Sequence, residues 1–247
     1  MSGHSKWAQI KRQKGSADVK KGQAFTKLSN VITIAVRQGG GIADPGQNFK
    51  LRLAIEKARS VNMPKETIER AIEKGKGLEK GEGLQETVYE GFGPGGVAVI
   101  VEATTDNKIR TTAEVKNIFD KNGGTLGNPG SVSYQFQLKG QITVLKENKS
   151  IDDIFLAAAD SGAEDVEEAG DEVIIYTKPE ELTKVREKLE SQFKIVDAQL
   201  MRKPQVSVSV TEKETAEKVL SFLDKLEHLD DVNKVYANFD ISEKLIT

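Results

Sequence analysis

Seven lysines and arginines fall between residues 3 and 28: Lys6, Lys11, Arg12, Lys14, Lys20, Lys21 and Lys27. One carboxylate, Asp18, and the chain's single tryptophan, Trp7, stand among them, with His4 just before and Arg37 beyond. The chemistry open to such a set is phosphate neutralisation. Each lysine that pairs with a phosphate releases condensed counterions, which gives affinity without sequence information. An indole among the cations can stack on a base or pack on a sugar; Trp7 can equally well anchor the segment against the rest of the fold. Runs of surface lysine are often only a solvated face. Here almost no carboxylate is interleaved, so self-repulsion goes uncompensated and a polyanion is the expected partner. The candidate nucleic-acid-binding residues are therefore His4, Lys6, Trp7, Lys11, Arg12, Lys14, Lys20, Lys21, Lys27 and Arg37.

The imbalance extends along the chain. Residues 1–77 hold 16 Lys/Arg against 6 Asp/Glu, and residues 78–247 hold 20 against 32, which the overall net charge of −2 conceals. A cationic head should attract phosphates while an anionic body repels them, so the molecule should meet nucleic acid in one orientation.

Other chemistries find little support. With no cysteine in 247 residues, disulfides, thiolate metal sites and cysteine nucleophiles are excluded. The segment Gly91-Phe92-Gly93-Pro94-Gly95-Gly96 matches G-x-G-x-x-G, but a dinucleotide site needs a helix N-terminus after it. A Val-rich strand follows instead, so a tight turn between two strands is expected. The acidic residues Glu164, Asp165, Glu167, Glu168, Asp171 and Glu172 lack EF-hand order and read as a charged strand edge. Asp152 and Asp153 suit a helix N-terminus, and His228 a helix C-terminus. No Ser/His/Asp, zinc-ligand or P-loop arrangement occurs, so no catalytic residue, metal or cofactor is expected. No apolar run approaches the ~20 residues of a membrane span, and the N-terminus lacks the apolar stretch of a secretory signal. A cytoplasmic monomer with no membrane partner is the expected state.

The elements that would carry these residues follow from periodicity. Phe25, Leu28, Ile32 and Ala35 recur at helical spacing until Gly39-Gly40-Gly41. A second helix spans about Asn48 to Ser60, and Pro64 opens a third that ends near Gly75. Three such helices can cover one another as a small bundle. Residues 75–85 read as a linker. Strands and helices then alternate: strand 97–103, helix 107–122, strand 131–138. Residues 140–202 give βαββαβ, the ferredoxin-like order, with a capping box at Ser150 and Asp153. Strand 206–210, helix 212–227 and strand 232–239 make half a unit whose complement is 97–138. The expected fold is α+β: a helical bundle plus two ferredoxin-like α/β domains, one inserted in the other. Its domains are 1–77, a discontinuous 78–138 plus 204–247, and an inserted 139–203.

Four blocks carry a resemblance: residues 3–28, GHSKWAQIKRQKGSADVKKGQAFTKL; residues 62–77, NMPKETIERAIEKGKG; residues 89–107, YEGFGPGGVAVIVEATTDN; and residues 123–136, GGTLGNPGSVSYQF. In order, and across nearly the whole chain, they resemble the YebC/PmpR family, related to the mitochondrial translational activator of cytochrome oxidase. The resemblance implies three domains around a broad groove, a helical one and two α/β ones, and no enzymatic activity. It implies either a transcriptional regulator that binds promoter DNA or a translation factor acting on the ribosome, with ribosomal RNA or tRNA as partner. It supplies no residue-level map, so the candidate residues rest on charge and position.

Overall fold

The computed structural model describes residues 21–77 and 83–241, apart from the side chains of Lys21 and Gln23. The candidate residues His4, Lys6, Trp7, Lys11, Arg12, Lys14 and Lys20, and the side chain of Lys21, lie outside the described residues. By internal contact the chain forms two units. Among the described residues, one unit runs over 136–205 without interruption, and the other joins residues up to 135 with those from 206 on.

Helices α1 (Lys21–Gln38), α2 (Phe49–Ser60) and α3 (Lys65–Lys76) form the bundle. Their apolar stripes meet in one cluster that includes Ile32, Val36, Leu51, Ile55, Met63 and Ile68. Gly40 and Gly41, at φ +67° and +84°, turn the chain out of α1, a conformation glycine adopts without Cβ strain. Asn48 fixes the start of α2. Its Oδ1 accepts from the Leu51 N–H at 3.1 Å, while its Nδ2 donates to the carbonyls of Ala35 and Ile42 at 2.9 and 3.0 Å. One side chain thus caps one helix and holds it to the end of another. Helices α1 and α3 cross closely at Gly75. A Cβ there would lie 2.6 Å from Val36 Cβ and 2.8 Å from the Thr33 carbonyl, while the Thr33 hydroxyl donates to the Ala71 carbonyl at 3.0 Å.

The same unit continues with a hairpin, β1 (Gln85–Phe92) and β2 (Ala98–Thr105). Its turn is the Gly/Pro segment, with Gly95 and Gly96 at φ +70° and +74°. No helix follows it, as the turn reading requires. Then come α4 (Lys108–Lys121), β3 (Thr125–Leu126), and, after residue 205, β8 (Val208–Val210), α7 (Lys213–Glu227), β9 (Val232–Ala237) and β10 (Phe239–Ile241). The sheet order is β3-β1-β2-β9, and β8 pairs β10 in a separate parallel ribbon. Helices α4 and α7 meet edge to face through Phe119 and Phe222, with centroids 4.9 Å apart.

The mixed helix-and-sheet class stands, but two strand assignments change. Residues 131–135 are not strand; the strand is β4 (Phe136–Leu145), in the other unit. The reason is Glu90. Its carboxylate accepts from the backbone N–H groups of Gly130, Val132 and Ser133, each at 2.9 Å, so those donors cannot join a ladder. The expected strand 232–239 also divides. Asn238 is buried between β9 and β10, where its Oδ1 accepts from the Ala98 N–H at 2.7 Å and its carbonyl accepts from Val208 N–H at 2.7 Å. It thereby passes the chain from one sheet to the other. After the bundle, this unit opens its sheet with the β1–β2 hairpin rather than with a β-α-β segment.

The continuous unit has the order β4, α5 (Ile151–Ser161), β5 (Asp165–Ala169), β6 (Glu172–Thr177), α6 (Leu182–Glu190) and β7 (Ile195–Pro204). Its antiparallel sheet runs β5-β6-β4-β7, the arrangement of a ferredoxin-like βαββαβ unit. Ile142, Val144, Val173 and Ile175 sit under Ile154, Ala158, Leu182 and Val185. The cap at Ser150 forms, with its Oγ accepting from the Asp153 N–H at 3.1 Å and donating to Asp153 Oδ2 at 2.6 Å.

Replacing Gly75 by valine should force α1 and α3 apart and cost about 1–3 kcal/mol, the range for overpacking a tight contact. Urea denaturation followed by circular dichroism would show it as a lowered midpoint, with Thr33→Ser as a near-neutral control.

Candidate nucleic-acid interface

Of the ten candidates, the side chains of Lys27 and Arg37 are described, and both are half-buried on α1. Lys27 Nζ donates to the carbonyl of Glu227, the last residue of α7. That is where helix carbonyls without intrahelical partners favour a cation. Arg37 NH1 donates to the Leu84 carbonyl at 3.2 Å. Both cations therefore join the bundle to the rest of their unit, a role that their spacing in the sequence gave no means of seeing.

Further cations lie on the outer faces of α2 and α3. Lys57, Arg59, Lys65, Arg70, Lys74 and Lys76 are exposed. Lys65 is 3.6 Å from Glu69 and Lys76 pairs with Glu73 one turn away, contacts worth a few tenths of a kcal/mol each. Arg70 Nε donates to the Glu66 carbonyl at 3.3 Å. The cations in the last turns of α2 and α3 also complement those helices' dipoles. Charge at this surface thus has a local folding use besides any role toward phosphate. Arg52 is committed differently, its guanidinium lying 5.4 Å from the Phe49 ring centroid. Where α1 meets β1, Gln38 donates to Glu86 and Lys50 donates to Gln38 Oε1 at 2.6 Å. Burial pushes the Glu86 carboxyl above its ordinary value, and nearby Glu102 adds to this against the lowering effect of Lys50 and Gln38.

The other polar constellations belong to architecture. Glu90 is 7 % exposed. Burial alone would raise its pKa, but the three backbone N–H groups outweigh that and hold the carboxyl below its usual range. Asp231 Oδ2 accepts from Thr105 Oγ1 at 2.9 Å, Thr111 Oγ1 at 2.6 Å and Arg110 at 2.7 Å. Burial again works to raise this carboxyl, and the hydroxyls and guanidinium more than offset it. The acidic strand edge is paired rather than merely solvated. Lys139 meets Glu164 at 2.6 Å, and Lys203 meets Asp165 and Glu167 at 2.7 and 3.0 Å. His228 sits at the end of α7 with Nδ1 2.7 Å from the Asp224 carbonyl oxygen. Among the described residues no group of His, Asp and Glu is placed to hold a metal ion, and no helix is long and apolar enough to cross a membrane.

Comparison with known proteins matches the chain over nearly its whole length. Residues 5–78 match the model of the TACO1/YebC protein N-terminal domain, and residues 84–239 match that of the TACO1/YebC second and third domain. The chain belongs to the TACO1/YebC family. A probable transcriptional regulatory protein of Sulfurihydrogenibium sp. is 53% identical over 248 residues, covering 100% of this chain and 98% of that protein. Proteins of the same name from Aquifex aeolicus and Thermotoga maritima are 49% and 48% identical, covering 100% and 99% of this chain and 98% and 96% of theirs. The crystal structure of a conserved hypothetical protein from Aquifex aeolicus superposes with a TM-score of 0.89 at 48% identity, covering 98% of this chain and 99% of that one. Within this family member, the blocks 89–107 and 123–136 include Glu90, its three N–H donors and Thr105, one of the hydroxyls that hold Asp231.

The Glu90 geometry sets a pH dependence. Its folded pKa lies below the unfolded value of about 4.5. The stability it contributes is therefore complete above pH ~4.5 and is lost as pH falls through the lower folded value. Glu90→Gln should destabilise by about 1–3 kcal/mol at neutral pH, since an amide presents donors to donors. It should also flatten the acid limb of a plot of melting temperature against pH; an unchanged limb would contradict the assignment.

Proposed function

We propose that this TACO1/YebC family member is a non-enzymatic, nucleic-acid-binding regulator of transcription that contacts DNA through residues 1–77. The observation that carries this reading is the concentration of cations in that segment, 16 against 6 carboxylates, ahead of an acidic remainder. Relatives covering the whole chain are named probable transcriptional regulatory proteins, which supports the same reading. The binding is to phosphate more than to bases. Reading base edges takes a helix that aims Arg, Asn or Gln into the major groove. In α2, Arg52 lies over Phe49 and Lys50 is tied to Gln38, and Lys57 and Arg59 lie in its last turn, a modest set for reading bases. The contact is therefore positional, salt-dependent and weakly selective for sequence. A cytoplasmic monomer is the corresponding working state.

Fluorescence anisotropy of the full chain with a labelled DNA duplex, across a salt series, tests this. The logarithm of affinity should fall linearly with the logarithm of salt concentration. Reversing Lys11, Arg12, Lys20 and Lys21 together should lower the slope by about 3–4, near one per lost phosphate contact. Unchanged affinity and slope would overturn the proposal. Crosslinking in cells, followed by sequencing of the attached nucleic acid, should return discrete promoter fragments; ribosomal RNA or tRNA in their place would refute the transcriptional reading.

A further inference from the structure

Helix α5, in the continuous unit, leaves one face without a partner in its own fold. Ile154 and Ala158 point into the core and are fully buried. On the opposite side Phe155 and Leu156 are 51% and 62% exposed, which is unusual for two adjacent large apolar side chains. At 3.6 residues per turn, Asp152 and Ala159 fall on the same side as this pair, and Asp153 and Asp160 flank it next to Leu156. The helix, IDDIFLAAADS, carries no lysine or arginine. Asp153 takes the Ser150 hydroxyl, whereas Asp152 and Asp160 are exposed and form no ion pair among the described residues. Beside Asp160 lies a cleft of about 560 Å3 lined by Ala157, Asp160, Ser161, Lys188, Ser191 and Gln192. Lys188 is the one cation in that lining, with its Nζ donating to the Ser161 carbonyl at 3.2 Å, against the three carboxylates of Asp152, Asp153 and Asp160 on α5.

We infer that this face of α5 is a docking surface for a basic amphipathic helix of a partner protein. The occupant follows from complementarity. Phe155 and Leu156 supply an apolar centre of the kind that dominates binding energy. The carboxylates beside them select lysine and arginine and disfavour phosphate, so nucleic acid is not the ligand here. A ridge of one 11-residue helix matches about three turns of another. The cleft by Asp160 admits the aliphatic stem of a long cation whose head reaches the carboxylate.

The test uses the full chain and a fluorescein-labelled synthetic peptide of about 14 residues, with leucine on one face of a helix and lysine on the other. A second peptide of identical composition has its leucines scattered round the helix. The amphipathic peptide should bind saturably. Phe155→Ala with Leu156→Ala should weaken it about tenfold or more, Asp152→Lys with Asp160→Lys should do so too, and the scattered peptide should bind more weakly. All four side chains are exposed, so far-UV circular dichroism should match the parent, with a slightly lower melting temperature for the charge-reversed pair because Asp152 leaves the helix N-terminus; that pair decides the matter if the alanine pair does not fold. Absence of binding, equal binding of both peptides, or affinity insensitive to the folded variants would overturn the inference. A dimer in sedimentation that the alanine pair dissolves would also overturn it, by making a second copy the occupant.

Discussion

A single buried carboxylate fixes where this chain leaves one unit and enters the other. Glu90 sits in a β-strand yet receives three backbone N–H groups from the loop at 130–133. Its own carbonyl accepts from Gly127 N–H at 2.7 Å. An ionised carboxylate is an acceptor only, and burial without donors would be costly. The arrangement meets both demands together: the charge is solvated by peptide dipoles, and a glycine- and proline-rich loop acquires a defined course. Val132, fully buried, is set by that course. Gln135, the last residue before β4, then accepts from Asn238 Nδ2 at 2.8 Å. The residue that begins the excursion over 136–205 is thus tied to the segment that follows it.

Electrostatics divide into fixed and available charge. Lys27, Arg37 and Lys203 are committed to contacts within their own unit, as are the carboxylates of Asp231 and Glu90. Their geometry is fixed by several partners or by a part-buried carbonyl, so they act on stability. Lys65 and Lys76, exposed on α3, pair with carboxylates one helical turn away, and such pairs exchange readily with solvent or with another anion. The difference between the two sets is burial rather than charge, and the second set is the one suited to a polyanion.

Much of this was legible in the residues themselves. The three bundle helices followed from apolar spacing, because a helix on a core shows one stripe. The hairpin turn at Gly93–Gly96 followed from glycine and proline chemistry, and the ferredoxin-like order from alternating periods between 140 and 202. The two errors have a common cause. Residues 131–135 have strand-like composition, and Val232 to Phe239 reads as one strand. Both are decided by hydrogen bonds from side chains distant in sequence, Glu90 in one case and Asn238 in the other. Local pattern has no access to such partners.

For the candidate interface, the sequence determined the sign and position of charge, because ionisation belongs to residue type and holds in any fold. It also determined the absence of thiol chemistry. Only the tertiary structure decided which charges are spent. It placed Lys27 on the final carbonyl of α7 and Arg37 on that of Leu84, and it left Phe155 and Leu156 in solvent beside Asp152 and Asp160, which form no ion pair among the described residues. Burial and pairing are properties of three-dimensional neighbours, and residues 200 positions apart become neighbours only when the chain folds.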